Sequence, residues 1–149
     1  MNRINPLSMD WALLAVRLVV GSIFLVHGSQ KMFGAFGGPG LAGVAEWLGP
    51  VGYLVAIAEF FGGLAILVGF LARFSALALV GVMIGAIGMV HWQNGFFAGP
   101  QAIGIEWPLA LIGNLLAIAL GGPGAFSLGR VLTMLPRRRD GVRPVLALE

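Results

Sequence analysis

Four apolar runs, each ended by a polar or glycine-rich break, organise the chain. They cover residues 11–32, 51–71, 74–90 and 107–120. About 20 apolar residues are needed to cross a bilayer as a helix, and no run shows the strict alternation of a half-buried strand. The pattern predicts an all-α integral membrane four-helix bundle within residues 11–124, flanked by short segments at 1–10 and 125–149. Only Ala72 and Arg73 separate the second run from the third, which makes them an antiparallel hairpin. Gly121, Gly122, Pro123 and Gly124 combine the usual helix terminators and stop the fourth. The first run is too long, and too polar toward its end, for the core of a cleavable signal peptide.

Composition narrows the function classes. Of 149 residues 58% are hydrophobic and 10% charged, against roughly a quarter charged in an ordinary soluble domain. Soluble globules and disordered chains are excluded, so any chemistry belongs in or beside the membrane. There is no cysteine, which removes thiol relays, disulfide exchange and iron–sulfur ligation from the chain's own repertoire. Basic residues in short loops are retained on the cytoplasmic side. Arg3, Arg73, Arg130, Arg137, Arg138, Arg139 and Arg143 share one side if both termini lie inside, and Lys31 alone falls on the other. The basic tail then rests on anionic headgroups, and nucleic acid is not an expected partner.

Residues 34–50 and 91–106 become two glycine-rich, outward-facing loops. Within the first, residues 41–48 can form a short amphipathic turn on the membrane surface. Trp47, Trp92 and Trp107 all fall at the outer interface, where amphipathic rings concentrate, which agrees with the arginine argument.

Ionisable residues inside a span cost a few kcal/mol each by insertion scales and need a partner or a purpose. Arg17, Gly21, Phe24, Gly28 and Lys31 follow spacings of three and four along one stripe of the first helix, with His27 beside it. On the second helix Glu59 precedes Gly62 and Gly63, small residues that allow close helix approach. At about 1.5 Å per residue, Arg17 lies roughly 21 Å below Lys31, and Glu59 about 12 Å below the start of its helix. Glu59 is thus between two basic positions. The structural expectation is an intramembrane Arg17–Glu59 pair that fixes helix packing, with His27 and Lys31 reaching down as the other option.

A second constellation gathers at the outer ends: His27, Gln30 and Lys31, then His91, Trp92 and Asn94, then Glu106 and Trp107. With Glu59, these residues outline a candidate ligand pocket in which His27, Lys31, Glu59 and His91 converge and Trp92, Phe96 and Phe97 form flat apolar walls. Such a pocket suits a quinone or a similar small ligand. The bland alternative is that the histidines simply hydrogen-bond loop backbone. Metal and haem readings lack any diagnostic spacing. Gly81, Gly85 and Gly88 are expected to mark tight packing of the third helix. The run GGPG at residues 37–40 lacks the lysine and hydroxyl residue of a phosphate loop, and no serine elbow or zinc-protease motif occurs.

The blocks RLVVGSIFLVHGSQKMFG from Arg17, GGPGL from Gly37, AEFFGGLAILVGFLARFSAL from Ala58 and HWQNGFF from His91 resemble, in order and spacing, the DoxX family, with the resemblance extending to Leu128. It implies a multi-pass protein of the bacterial inner membrane linked to redox metabolism, whose relatives reduce quinones or partner oxidative-stress and thiol-handling enzymes. It carries over Arg17, His27, Lys31, Glu59, Arg73 and His91. Gly129 departs from the family pattern, which has an aspartate there. Two functions follow: a redox-associated subunit whose outer pocket binds a quinone, or a non-catalytic anchor or assembly factor that recruits an oxidoreductase. No catalytic residue is assigned.

Overall fold

The computed structural model describes residues 5–100 and 102–134. Arg3, Arg137, Arg138, Arg139, Arg143 and most of the basic tail therefore lie outside the described residues. Among those described there is no strand. Six α-helices follow one another: α1 (Pro6–Phe33), α2 (Gly40–Leu48), α3 (Val51–Val68), α4 (Ala72–Ala86), α5 (Glu106–Gly121) and α6 (Leu128–Met134). A π turn (Ile87–His91) and a 3-10 turn (Trp92–Asn94) prolong α4.

Local chemistry sets the boundaries. α1 starts several residues before the expected Trp11, because Asn5 Oδ1 accepts from the Leu7 amide and Pro6 occupies a first-turn position that needs no donor. α3 stops at Val68 instead of Leu71, since Gly69 adopts the left-handed conformation (φ 73°). The Gly69 and Phe70 amides then donate to the Ile66 and Ala65 carbonyls, closing the helix. With Leu71 also left-handed, the chain reverses directly into α4. α6 falls where only a basic tail was expected.

Three segments are long and apolar enough to cross a membrane: Leu7–Phe33, Val51–Val68 and Ala72–Asn94. α5 has 16 residues and rises about 24 Å, short of the roughly 30 Å hydrocarbon core. α1 packs on α3, α3 on α4, α4 on α5 and α5 on α1, so the four close a ring. Its core is formed by Val20 and Phe24, Ile66, Ala76, Leu79 and Met83, and Leu115 and Ile118, at least one from each helix. Outside the ring, Val19, Leu54, Phe61, Phe74, Leu77, Ile84 and Leu120 are exposed. An apolar surface of that extent on the spans requires a lipid solvent.

The α1–α3 contact rests on glycine. A Cβ at Gly28 would collide with the backbone of Phe60, one at Gly21 would come within 3.0 Å of the Gly63 carbonyl, and one at Gly63 would meet Phe24 and Leu25. The backbones are thus nearly in contact along three turns, as small residues permit.

Arg17, 1% exposed, lies at the opposite end of this contact from α2. The expected Arg17–Glu59 pair is not formed. Arg17 Nε and Nη2 donate to the Ile66 and Leu67 carbonyls at 2.9 and 3.0 Å, and Nη1 donates to Pro123 and Phe126. Ile66 and Leu67 belong to the last turn of α3, whose carbonyls have no intrahelical donor and carry the negative end of the helix dipole. They are about two turns, roughly 11 Å, from Glu59, so an arginine committed to them cannot reach the carboxylate. Gly69 makes room for the guanidinium, and a Cβ there would strike Nη2. Gly129 donates its amide to the Gly69 carbonyl in the same corner.

Arg17→Ala should leave the Leu67, Pro123 and Phe126 carbonyls without this donor and lower unfolding stability by about 1–3 kcal/mol. Arg17→Lys should recover only a minor part, because an ammonium has three donors and no planar fork. Reversible unfolding in mixed micelles measures both; a lysine variant as stable as the parent would contradict the clamp.

Candidate functional site

At the other end of the ring, α1, α3, α4 and α5 splay around a cavity of about 610 Å³. Each helix contributes one face. From α1 come Phe24, His27 and Lys31, spaced to follow one stripe; from α3 come Leu54, Val55, Ala58 and Glu59. α4 and its π turn contribute residues from Ala78 to His91, and α5 adds Trp107, Pro108 and Leu111. Trp47 and Leu48, the last residues of α2, and Ile103 overhang it. α2 is held there by Val44, buried against Gly52, where any Cβ would clash.

Four polar side chains meet in this otherwise apolar cavity: His27, Lys31, Glu59 and His91. Glu59 is 4% exposed. Its Oε2 accepts from Lys31 Nζ at 2.5 Å, in the one salt bridge among the described residues. Its Oε1 has no protein donor, and no buried side-chain oxygen is left unpaired, so this second oxygen is open to the cavity. The pair forms because Gly28 brings α1 against the backbone at Glu59 and Phe60, and Lys31, one turn further on, reaches back with its flexible stem.

His27 is exposed and lines the cavity. It makes no hydrogen bond among the described residues. His91 ends the π turn, a wider turn that shifts the following side chains around the helix axis. Its Nδ1 lies 2.8 Å from the Ile103 carbonyl. A carbonyl only accepts, so Nδ1 carries a proton and the neutral ring presents Nε2 as an acceptor. The loop-bonding alternative for His91 is thus realised without removing it from the cavity.

The remaining candidates are elsewhere. Asn94 donates to Val90 and Ile103, and Glu106 Oε1 accepts from the Ala98 amide at 2.7 Å; both order the 92–106 loop. The backbone carbonyl of Gln30 accepts from the Gly34 amide at the end of α1. Trp92 is exposed, and Phe96 and Phe97 stack edge to face on each other. None of these six lines the cavity, and the aromatic rings that do are Phe24, Trp47 and Trp107. The reason is that the loop folds back on itself through Ile105 to Gly95 and Glu106 to Phe96 bonds, which turns the two phenylalanines outward. Gly81 and Gly85 do not mark tight packing: a Cβ on either meets nothing within 4 Å, and both line the cavity. Among the described residues no group of three or more metal-ligating side chains occurs.

The arrangement combines a cation bound to a carboxylate, a free imidazole and a second imidazole of fixed tautomer, all reached from an apolar space. Such groups can hydrogen-bond a polar ligand group and exchange protons with it. In a double-mutant cycle, Lys31→Ala and Glu59→Ala should couple by about 1–3 kcal/mol, whereas Arg17→Ala and Glu59→Ala should be additive to about 0.5 kcal/mol. Coupling of the second pair would restore the original pairing.

A family model described as DoxX matches residues 12–92, more than half of the chain. No curated protein and no solved structure matches it. The matched segment contains Arg17, His27, Lys31, Glu59, Arg73 and His91, hence all four polar groups of the cavity, and it stops at Trp92, short of Leu128. With three helices fit to span a bilayer and a family match across all of them, the chain is a membrane protein that belongs to the DoxX family.

Proposed function

We propose that the protein is a redox-associated subunit of the bacterial inner membrane whose cavity binds a quinone. The observation that carries this reading is the convergence of His27, Lys31, Glu59 and His91 on one apolar cavity flanked by Trp47 and Trp107. Quinone reduction consumes two electrons and two protons. With no cysteine in the chain, the electrons come from a partner oxidoreductase. The chain's own part is to hold the ring and exchange protons with it: Lys31 and His27 donate toward ring oxygens, and Glu59 aims Lys31. A bound quinone supplies the electron acceptor.

In this reading the four long helices cross the membrane as a bundle with both termini in the cytoplasm. The cavity and the two glycine-rich loops then face the periplasmic side. The positions of Arg73 and Arg130 at the far end from Lys31 support that orientation.

Isothermal titration of decylubiquinone into the protein in lipid nanodiscs, against empty nanodiscs, should give saturable binding. His27→Phe, which breaks no hydrogen bond among the described residues, should weaken it about tenfold, or about 1.4 kcal/mol. No binding beyond lipid partitioning would favour the anchor function instead.

Orientation is tested separately. In a chain without cysteine, Ala35→Cys and Gly99→Cys should react with an impermeant thiol reagent in spheroplasts, and Gly141→Cys should not. The reverse pattern would invert the bundle.

A further inference from the structure

The cavity is longer than a ring needs. Along α4 it runs from Ala78 to His91, about 20 Å at the helical rise. Its charged pair lies part-way along, since Gly62 packs on Leu79 and sets Glu59 nearly one turn above that contact. The space next to Ala78 therefore extends past the polar groups and is apolar.

Its lateral boundary is incomplete. α3 and α4 touch where a Cβ on Gly62 would meet Leu79 at 3.2 Å, and beyond that point, at Gly81 and Gly85, α4 presents bare backbone with nothing within 4 Å. Leu54, Ala78, Gly81 and Met89 line the cavity and are also exposed on the helices themselves. These four positions lie within the segments fit to span a bilayer, and all are apolar. A water-soluble ligand finds no polar group at this opening; a lipid-dissolved one finds a continuous apolar path ending at Lys31 and Glu59.

We infer that the gap between α3 and α4 at Gly81 and Gly85 is a lateral entrance from the bilayer. The ligand class it admits is an amphiphile: a polar ring on a long apolar tail, the ring at the Lys31–Glu59 pair and the tail left in the gap. This rests on the quinone-binding reading and adds the route and the tail. The glycines have a function here that backbone packing does not explain, because a Cβ at either position would meet nothing within 4 Å and would raise helix propensity.

The test compares decylubiquinone with its tail-less dimethoxy-methyl benzoquinone headgroup in nanodiscs. Association is followed by stopped-flow quenching of Trp47 and Trp107, with Trp11 and Trp92 replaced by phenylalanine. The variant Gly81→Leu/Gly85→Leu should melt no lower than its parent and should slow decylubiquinone about tenfold relative to the headgroup. If the variant slows both to the same extent, or neither, the lateral entrance is wrong while quinone binding stands. If neither compound binds the parent, the quinone-binding reading fails and takes the entrance with it.

Discussion

A carboxylate within an apolar helix has to be met by a cation inside the protein, and the approach of α1 to α3 decides which cation that is. Gly21, Gly28 and Gly63 bring the two backbones together, and Gly28 does so directly against Glu59 and Phe60. A methyl group at Gly28 would separate the helices at the level of the carboxylate. Lys31 would then reach across a wider gap, and Glu59 would remain a buried charge with weakened compensation, a situation that typically costs several kcal/mol. The cavity depends on the same contact, because the wall formed by α1 and α3 is rigid only while they touch.

Much of this was legible in the chain. The four apolar runs, the hairpin at Ala72 and Arg73 and the short helix before Gly49 follow from hydropathy and helical spacing, and the same pattern singles out His27, Lys31, Glu59 and His91 as candidates. Each is a property of one helix or of depth along it. The misassigned features depend on rotation and on backbone hydrogen bonding, which spacing alone does not encode. Arg17 and Lys31 occupy the same stripe and both could serve Glu59 by depth. What separates them is that the last turn of α3 offers the Ile66 and Leu67 carbonyls beyond its regular helical bonds, and Arg17 lies beside them. The left-handed Gly69 was a signal for this, since it ends α3 early and leaves space for a guanidinium.

The 92–106 loop illustrates a similar limit. Its aromatic residues read as walls for a flat ring, yet Trp92, Phe96 and Phe97 are turned away by the loop's own hydrogen bonds. Polar residues in a loop near a membrane surface serve its backbone first, because unpaired amides and carbonyls there are costly. Asn94 and Glu106 are occupied in that way. His91 escapes the same fate only because an imidazole has two nitrogens: one secures Ile103 and the other remains available.

The two ends of the helix ring thus use their charges in opposite ways. At Arg17 four hydrogen bonds run to four carbonyls on two chain segments, and the guanidinium has little capacity left for anything else. At Glu59 one oxygen is paired and the other is open, and His27, which has no hydrogen-bond partner among the described residues, lines the same unfilled space. A packed helical protein could have filled that space with larger residues at Gly81 and Gly85, where nothing obstructs them. Structure is secured where polar groups are saturated, and binding belongs where they are not. On that physical ground, the Arg17 corner holds the fold, and the Lys31–Glu59 end is where a ligand should be sought.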